Sequence, residues 1–152
     1  MKLNPRQAQL VERMAPGVLC AEGFLGPDPR PLDEILADDA RAVEAFGLTH
    51  EQIADKLDEI IESAQAAFGN PVRVGPQLSA IAREAMGPIP CPWGGCGVFA
   101  KGDVTLKDES NGKTLRLTAL SAHLVREHGF YQGRQTAYRL EPAELAELLD
   151  LA

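Results

Sequence analysis

Two short pairs of metal-binding side chains constrain this sequence more than any other feature. Cys91 and Cys96 bracket Pro-Trp-Gly-Gly, and His123 and His128 have four residues between them. Thiolates and imidazoles in short pairs suit a tetrahedral ion, because each pair supplies two ligands without straining the backbone. Two sulfurs and two nitrogens favour zinc over copper, nickel or magnesium, with iron as an alternative. The sequence therefore predicts a zinc site.

Four protein ligands also indicate the role of the ion. They fill the tetrahedral shell and leave no position for water or substrate, so the predicted site is structural and not catalytic. A disulfide between Cys91 and Cys96 is the main alternative, but it leaves both histidines without a role.

The polypeptide between the two pairs predicts a β-hairpin. Residues 104–108 and 114–118 alternate apolar and polar side chains, and Asn111-Gly112 is a strong hairpin signal. A helix should follow over residues 119–128, with Thr118 as its N-cap and Gly129 after its end.

A two-residue loop at Asn111-Gly112 fixes the expected register of this hairpin. It pairs Leu106 with Leu117 on an apolar face and Lys107 with Arg116 on a basic face. The like charges are locally unfavourable unless an anion lies there, which favours a nucleic-acid-binding face.

At this point residues 91–128 resemble a two-Cys, two-His zinc finger, with a cysteine turn, a hairpin and a helix carrying paired histidines. The matching residues are Cys91, Cys96, His123 and His128 as ligands, Phe99 as the aromatic after the second cysteine, and Leu120 three before the first histidine. Such fingers have about a dozen residues between the second cysteine and the first histidine. Here there are 26, so the resemblance implies a ββα unit with an extended hairpin.

The whole chain also resembles a group of small uncharacterised bacterial proteins. The shared features are the Cys-Pro-Trp turn at Cys91 and the run His-Leu-Val-Arg-Glu-His-Gly-Phe from His123. This second resemblance implies no activity.

The N-terminal half is predicted to be helical. Asn4 and Thr49 are N-caps for the first and third helices, and the second and third helices should cover about residues 32–46 and 50–68. Because three residues join them, we expect the second and third helices to pack as an antiparallel hairpin.

The remaining segments complete an α+β fold. Residues 78–86 suit either a short helix or the return strand of a hairpin, residues 135–140 suit a strand, and Pro142 should begin a final helix. We expect a helical region at 1–70, a connecting segment at 71–90, a zinc-finger-like unit at 91–131, and a strand plus helix at 132–152.

Composition limits the cellular setting. No apolar run approaches the roughly 20 residues that a membrane-spanning helix needs, and the N-terminus lacks the apolar stretch of a signal peptide. Three cysteines, an odd number, fit a reducing compartment. These features predict a cytoplasmic protein that does not bind membranes.

Charge is distributed unevenly along the chain. The net charge is −7, yet residues 97–140 carry seven Lys and Arg against four Asp and Glu. The candidate nucleic-acid-binding residues are Lys101, Lys107, Lys113, Arg116 and Arg126. Asp39 and the other acids on the outer faces of the second and third helices are expected to be solvated, and His50 is expected to be exposed.

Three functions are consistent with these features. The favoured one is a non-enzymatic zinc-stabilised module that binds an unspecified macromolecule, the alternative is a nucleic-acid-binding protein, and the third is an enzyme of unidentified substrate. For a structural ion, its removal should unfold residues 91–131 and leave the N-terminal helices intact.

Overall fold

The structure, a computed structural model, describes residues 4–21 and 23–149. Its helices are α1 (Pro5–Arg13), α2 (Leu32–Ala45), α3 (His50–Ala66), α4 (Ala119–His128) and α5 (Pro142–Leu148). Its strands are β1 (Val72–Gly75), β2 (Leu78–Arg83), β3 (Pro88–Pro90), β4 (Val98–Ala100), β5 (Asp103–Asp108) and β6 (Thr114–Thr118). The predicted α+β class is confirmed.

These strands form two antiparallel sheets. The larger has the order β1-β2-β5-β6, and the smaller pairs β3 with β4. Residues 78–83 are therefore the return strand of a hairpin, which was one of the two predicted alternatives. The predicted strand at 135–140 is wrong, because this segment consists of turns and irregular backbone. Its chain is held instead by local bonds such as that from the Thr136 N–H to the Gly133 carbonyl.

The helix starts follow the local sequence. Asn4 with Gln7 and Thr49 with Gln52 form capping boxes at α1 and α3, as predicted, because each pair satisfies two backbone N–H groups. The predicted packing of α2 on α3 is not the main contact of either helix. Instead α2 lies mainly against α5, whereas α3 lies against the larger sheet and α4.

The β5–β6 register differs from the predicted one by two residues. Leu106 lies opposite Leu115, and Lys107 lies opposite Thr114, because the loop has four residues instead of two. The Asp108 carboxylate accepts hydrogen bonds from the N–H and hydroxyl of Ser110, which stabilises the longer loop. A shift of two residues keeps each side chain on its predicted face. It separates Lys107 from Arg116, so the expected juxtaposition of like charges is wrong.

Buried side chains form two hydrophobic clusters. The first, here the sheet core, lies between α3 and the larger sheet and includes Ile53, Leu57, Ile60, Leu106, Leu117, Ala122, Val125 and Leu145. The second, here the knuckle core, includes Leu10, Met14, Phe24, Leu32, Ile35, Cys91, Leu120, Leu124 and Phe130. Helix α4 contributes to both clusters, so it joins the cysteine-bearing segment to the rest of the fold.

None of the helices in the described ranges combines the length and the apolar character needed to cross a bilayer.

Candidate metal site

A seven-residue loop between β3 and β4, residues 91–97, carries the two cysteines and is called the cysteine turn here. The strands pair antiparallel, with Pro90 opposite Val98, so Cys91 directly follows β3 and Cys96 lies two residues before β4. Gly94 and Gly95 have φ angles of 80° and 70°, which glycine adopts without steric penalty. The turn therefore presents both thiols from neighbouring positions.

The two histidines come from the C-terminal half of α4. Thr118 caps the helix by accepting a hydrogen bond from the Ser121 N–H, and Gly129 ends it with a φ of 58°. The Phe130 N–H donates to the Leu124 carbonyl across this end. The rings of His123 and His128 are 5.4 Å apart with an interplanar angle of 77°. The helix end thus brings the rings together despite their five-residue spacing.

The four side chains predicted as ligands lie together in space. One ligand atom from each of Cys91, Cys96, His123 and His128 lies within 4.8 Å of all the others. The Sγ atoms of Cys91 and Cys96 are 3.5 and 3.7 Å from Nε2 of His128. In a tetrahedron with Zn–S bonds of about 2.3 Å and Zn–N bonds of about 2.0 Å, the S···N edge is about 3.5 Å. The cluster can therefore hold a metal ion.

One atom in the cluster is left without a partner by the protein. Nε2 of His123 is a buried side-chain nitrogen that has no hydrogen bond in the described part of the chain. Buried polar atoms are normally satisfied, because an unpaired one loses its hydration energy without compensation. A cation bound to this nitrogen removes the deficit, so the arrangement fits a metal ion.

Burial sets the protonation of these groups in the absence of a cation. It raises the pKa of Cys91 to about 11, and it lowers the pKa of both His123 and His128. The imidazoles are then neutral, which is the form that binds metal, whereas Cys91 is a thiol. A bound cation displaces the thiol proton because it stabilises the thiolate. Cys91 and Cys96 are both free in the structure and form no disulfide.

Aromatic side chains cover the cluster. The Trp93 ring stacks on His128 with centroids 4.1 Å apart and an interplanar angle of 5°. Phe99 contacts His123 at 4.6 Å, and Phe130 contacts Trp93 edge-on at 5.5 Å. Trp93 therefore covers the site.

No protein-family model, curated protein or solved structure matches the chain.

The geometry of the cysteine and histidine segments differs from that of a simple ββα finger. The cysteine turn belongs to the β3–β4 hairpin, whereas β5 and β6 pair within the larger sheet with β2. The strands between the cysteines and the histidines thus belong to two sheets, which explains the long spacing of the two ligand pairs.

The five cationic residues predicted to bind nucleic acid have different surroundings in the structure. Nζ of Lys107 lies 3.8 Å from Oε2 of Glu109. Arg126 forms ion pairs with Asp55 and Asp58 of α3. Lys113 is exposed at the end of the β5–β6 loop. Lys101 and Arg116 instead line a common cavity.

Two of the residues expected to be solvent-exposed are not. Asp39 is 4% exposed and pairs with Arg139, and Nδ1 of half-buried His50 lies 2.8 Å from the hydroxyl of Tyr131. Both partners lie far along the chain, so local periodicity holds no signal for them.

A further contact of the site was not predicted from the sequence. Arg13, at the end of α1, donates hydrogen bonds to the carbonyls of Pro92 and Trp93. It ties α1 to the cysteine turn, although nearly eighty residues separate them in sequence. A basic residue in a last helical turn is common, so its local sequence does not indicate this role.

Proposed function

We propose that this chain is a zinc-binding protein whose ion is structural, and that it acts as a non-enzymatic interaction or regulatory module. The observation that carries the proposal is the convergence of two sulfurs and two imidazole nitrogens within 4.8 Å of one another. Both sulfurs lie at tetrahedral-edge distance from Nε2 of His128, and Nε2 of His123 is otherwise unpaired. Zinc is the metal that this donor set favours among the common divalent ions.

A structural role follows from the number and origin of the ligands. Four protein ligands complete the shell and leave no position for substrate. Two of them come from the β3–β4 turn and two from α4, so one ion links segments that are otherwise held by packing. Catalysis at this ion would require one of these ligands to detach, so a structural role is favoured for the ion. An enzyme that uses a nearby cleft remains the third candidate function.

Elemental analysis of the purified protein tests the proposal. We expect about one zinc per chain in the wild type and in Cys20→Ser, and a loss of most of the metal in Cys96→Ser. Cys20 is the matched control because it is a free cysteine that does not belong to the cluster. Full zinc content in Cys96→Ser, or metal-free wild type from zinc-supplemented cells, would refute the assignment.

Nucleic-acid binding is a less favoured alternative to this proposal. Arg126 is already neutralised by two carboxylates, and Lys107 lies opposite Thr114 instead of Arg116. Titration of DNA and RNA over a range of salt concentrations tests this alternative. Phosphate contacts require an affinity that falls steeply as salt increases.

A further inference from the structure

A second potential binding site lies beside the metal cluster. It is a cavity of about 390 Å³ between residues 20–21 and 23–24, β4, the start of α4 and the 132–138 turns. This volume lies in the range of small-molecule sites, roughly 300–1,000 Å³. Phe24, Ile89 and Leu120 give it a largely apolar wall.

Three polar side chains on this wall have hydrogen-bond donors without a protein partner. Gln132 is 6% exposed, yet its side-chain amide forms no hydrogen bond within residues 4–21 and 23–149. The Arg116 guanidinium lies 5.9 Å from the centroid of the Tyr138 ring, and within the same ranges it forms no ion pair. The Lys101 ammonium likewise forms no ion pair with a described residue. These three donors line the cavity and are available to a ligand group bound there.

The backbone at Gln132 supports the same conclusion. Its φ is 70°, a left-handed conformation that is unusual for a residue other than glycine. Such strain concentrates where the surrounding structure holds a side chain in position for binding. Here Arg139 donates to the Gln132 carbonyl at 2.8 Å, and this bond fixes the strained residue.

Charge on the wall selects the class of ligand. Lys101 and Arg116 are positive. Asp103, the only acid among the described residues of the wall, accepts hydrogen bonds from Arg83 at 3.5 Å and from Tyr138 at 3.4 Å. An anionic group is therefore favoured beside the two cations, and a guanidinium matches a carboxylate in geometry. The apolar remainder of the wall suits a hydrocarbon or aromatic body.

We propose that this cavity binds a small carboxylic acid with an apolar body. The carboxylate lies against Arg116 and Lys101 and accepts a hydrogen bond from the Gln132 amide. The apolar body lies against Phe24, Ile89 and Leu120. This site is separate from the metal ligands, none of which lines the cavity.

The test uses the zinc-loaded 152-residue chain with hexanoate and phenylacetate as probes. Binding is followed by protein NMR, with the neutral amides hexanamide and phenylacetamide as matched probes. We expect shifts of backbone signals at Gln132 and Lys101, and binding of the amides about tenfold weaker, because they lack the charge that strengthens the hydrogen bonds.

Three charge variants locate the interaction. Arg116→Gln and Lys101→Gln should each weaken carboxylate binding about tenfold, whereas Lys113→Gln, with the same change of charge at the far loop, should leave it unchanged. Thermal unfolding of each variant checks that it is folded. The proposal is overturned if neither carboxylate shifts the cavity signals, if the amides bind equally well, or if Lys113→Gln weakens binding as much as Arg116→Gln.

Discussion

At the scale of single residues, the ion pair between Asp39 and Arg139 shows how burial changes the role of a charge. Two hydrogen bonds of 2.6 and 2.8 Å join them, and their side chains are 5% and 6% exposed. Arg139 also binds Glu141 and the Gln132 carbonyl, so it connects α2, the 132–138 turns and the start of α5. A buried pair of this kind contributes little when intact but is costly to break.

Substitution of Asp39 should expose that cost. We expect Asp39→Asn to lower the free energy of unfolding by about 3 kcal/mol, because it leaves the buried Arg139 charge poorly compensated. The exposed acid Glu44 on the same helix is the control, and Glu44→Gln should change stability by less than about 0.5 kcal/mol. Urea unfolding measures both. Equal effects of the two substitutions would show that Asp39 is effectively solvated.

Asp28 provides a pH-dependent prediction. Its side chain is fully buried, and hydrogen bonds from Arg30 hold its pKa well below the usual range. A depressed folded-state pKa stabilises the protein at pH values above the unfolded pKa, about 3.9, and this contribution decreases as the pH falls towards the folded value. The stability difference between wild type and Asp28→Asn should therefore be constant above about pH 5 and shrink below about pH 4. Denaturant unfolding at several pH values measures it, and a difference that grows on acidification would contradict the assignment.

At the scale of elements, the end of α4 is where helix geometry and the metal site meet. Gly129 follows His128 directly, and a Cβ atom at Gly129 would lie 2.8 Å from Nε2 of His50. Both its positive φ and this close approach require glycine. The helix end is thus fixed by a residue that also sets the position of a ligand.

A pair of glycine substitutions separates these two requirements. A Cβ atom at Gly112 would have no neighbouring atom within 4 Å, so only the positive φ opposes the substitution. Gly112→Ala should therefore lower the free energy of unfolding by about 1 kcal/mol. Gly129→Ala must also displace His50 from its hydrogen bond with Tyr131, which should cost about 1–2 kcal/mol more and weaken metal binding. Thermal unfolding and a zinc competition assay measure both effects. Indistinguishable results for the two variants would refute the steric argument.

The β5–β6 hairpin shows what periodicity predicts and what it misses within one element. Alternation correctly placed Leu106 and Leu117 on the buried face, because any even shift of register preserves the face. The pairing was wrong because it depended on the loop. Side-chain hydrogen bonds of Asp108 and Asn111 favour a four-residue loop, and Asn111-Gly112 alone did not indicate it.

At the scale of the whole molecule, the four candidate metal ligands lie at a core that includes the N-terminal helices. Leu10 of α1, Met14 directly after it and Ile35 of α2 share the knuckle core with Cys91. Arg13 adds hydrogen bonds from α1 to the cysteine turn. Loss of the ion should therefore loosen α1 as well, in contrast to the expectation that the N-terminal helices stay intact.

Chelation with hydrogen exchange tests this revised expectation. We expect faster exchange in α1, the 18–31 segment and the cysteine turn, because metal-binding energy stabilises these small units. Strands β2 and β5 and helix α3 should stay protected, since the sheet core does not contain a ligand. Cys20→Ser, which keeps the four ligands, should respond to the chelator as the wild type does. Protection of α1 that is unchanged by the chelator would disprove the coupling.

The sequence by itself determined the four candidate ligands, the helix caps, the faces of the strands and the α+β class, because each depends on residue chemistry or on contacts between close neighbours in the chain. Only the tertiary structure decided that the cysteine turn and β5–β6 belong to different sheets, that Asp39 is buried, and that Arg13 and His50 pair with distant residues. These features depend on which surfaces meet when the chain closes on itself. Such contacts join segments distant in sequence, so they leave no periodic signal in either segment alone.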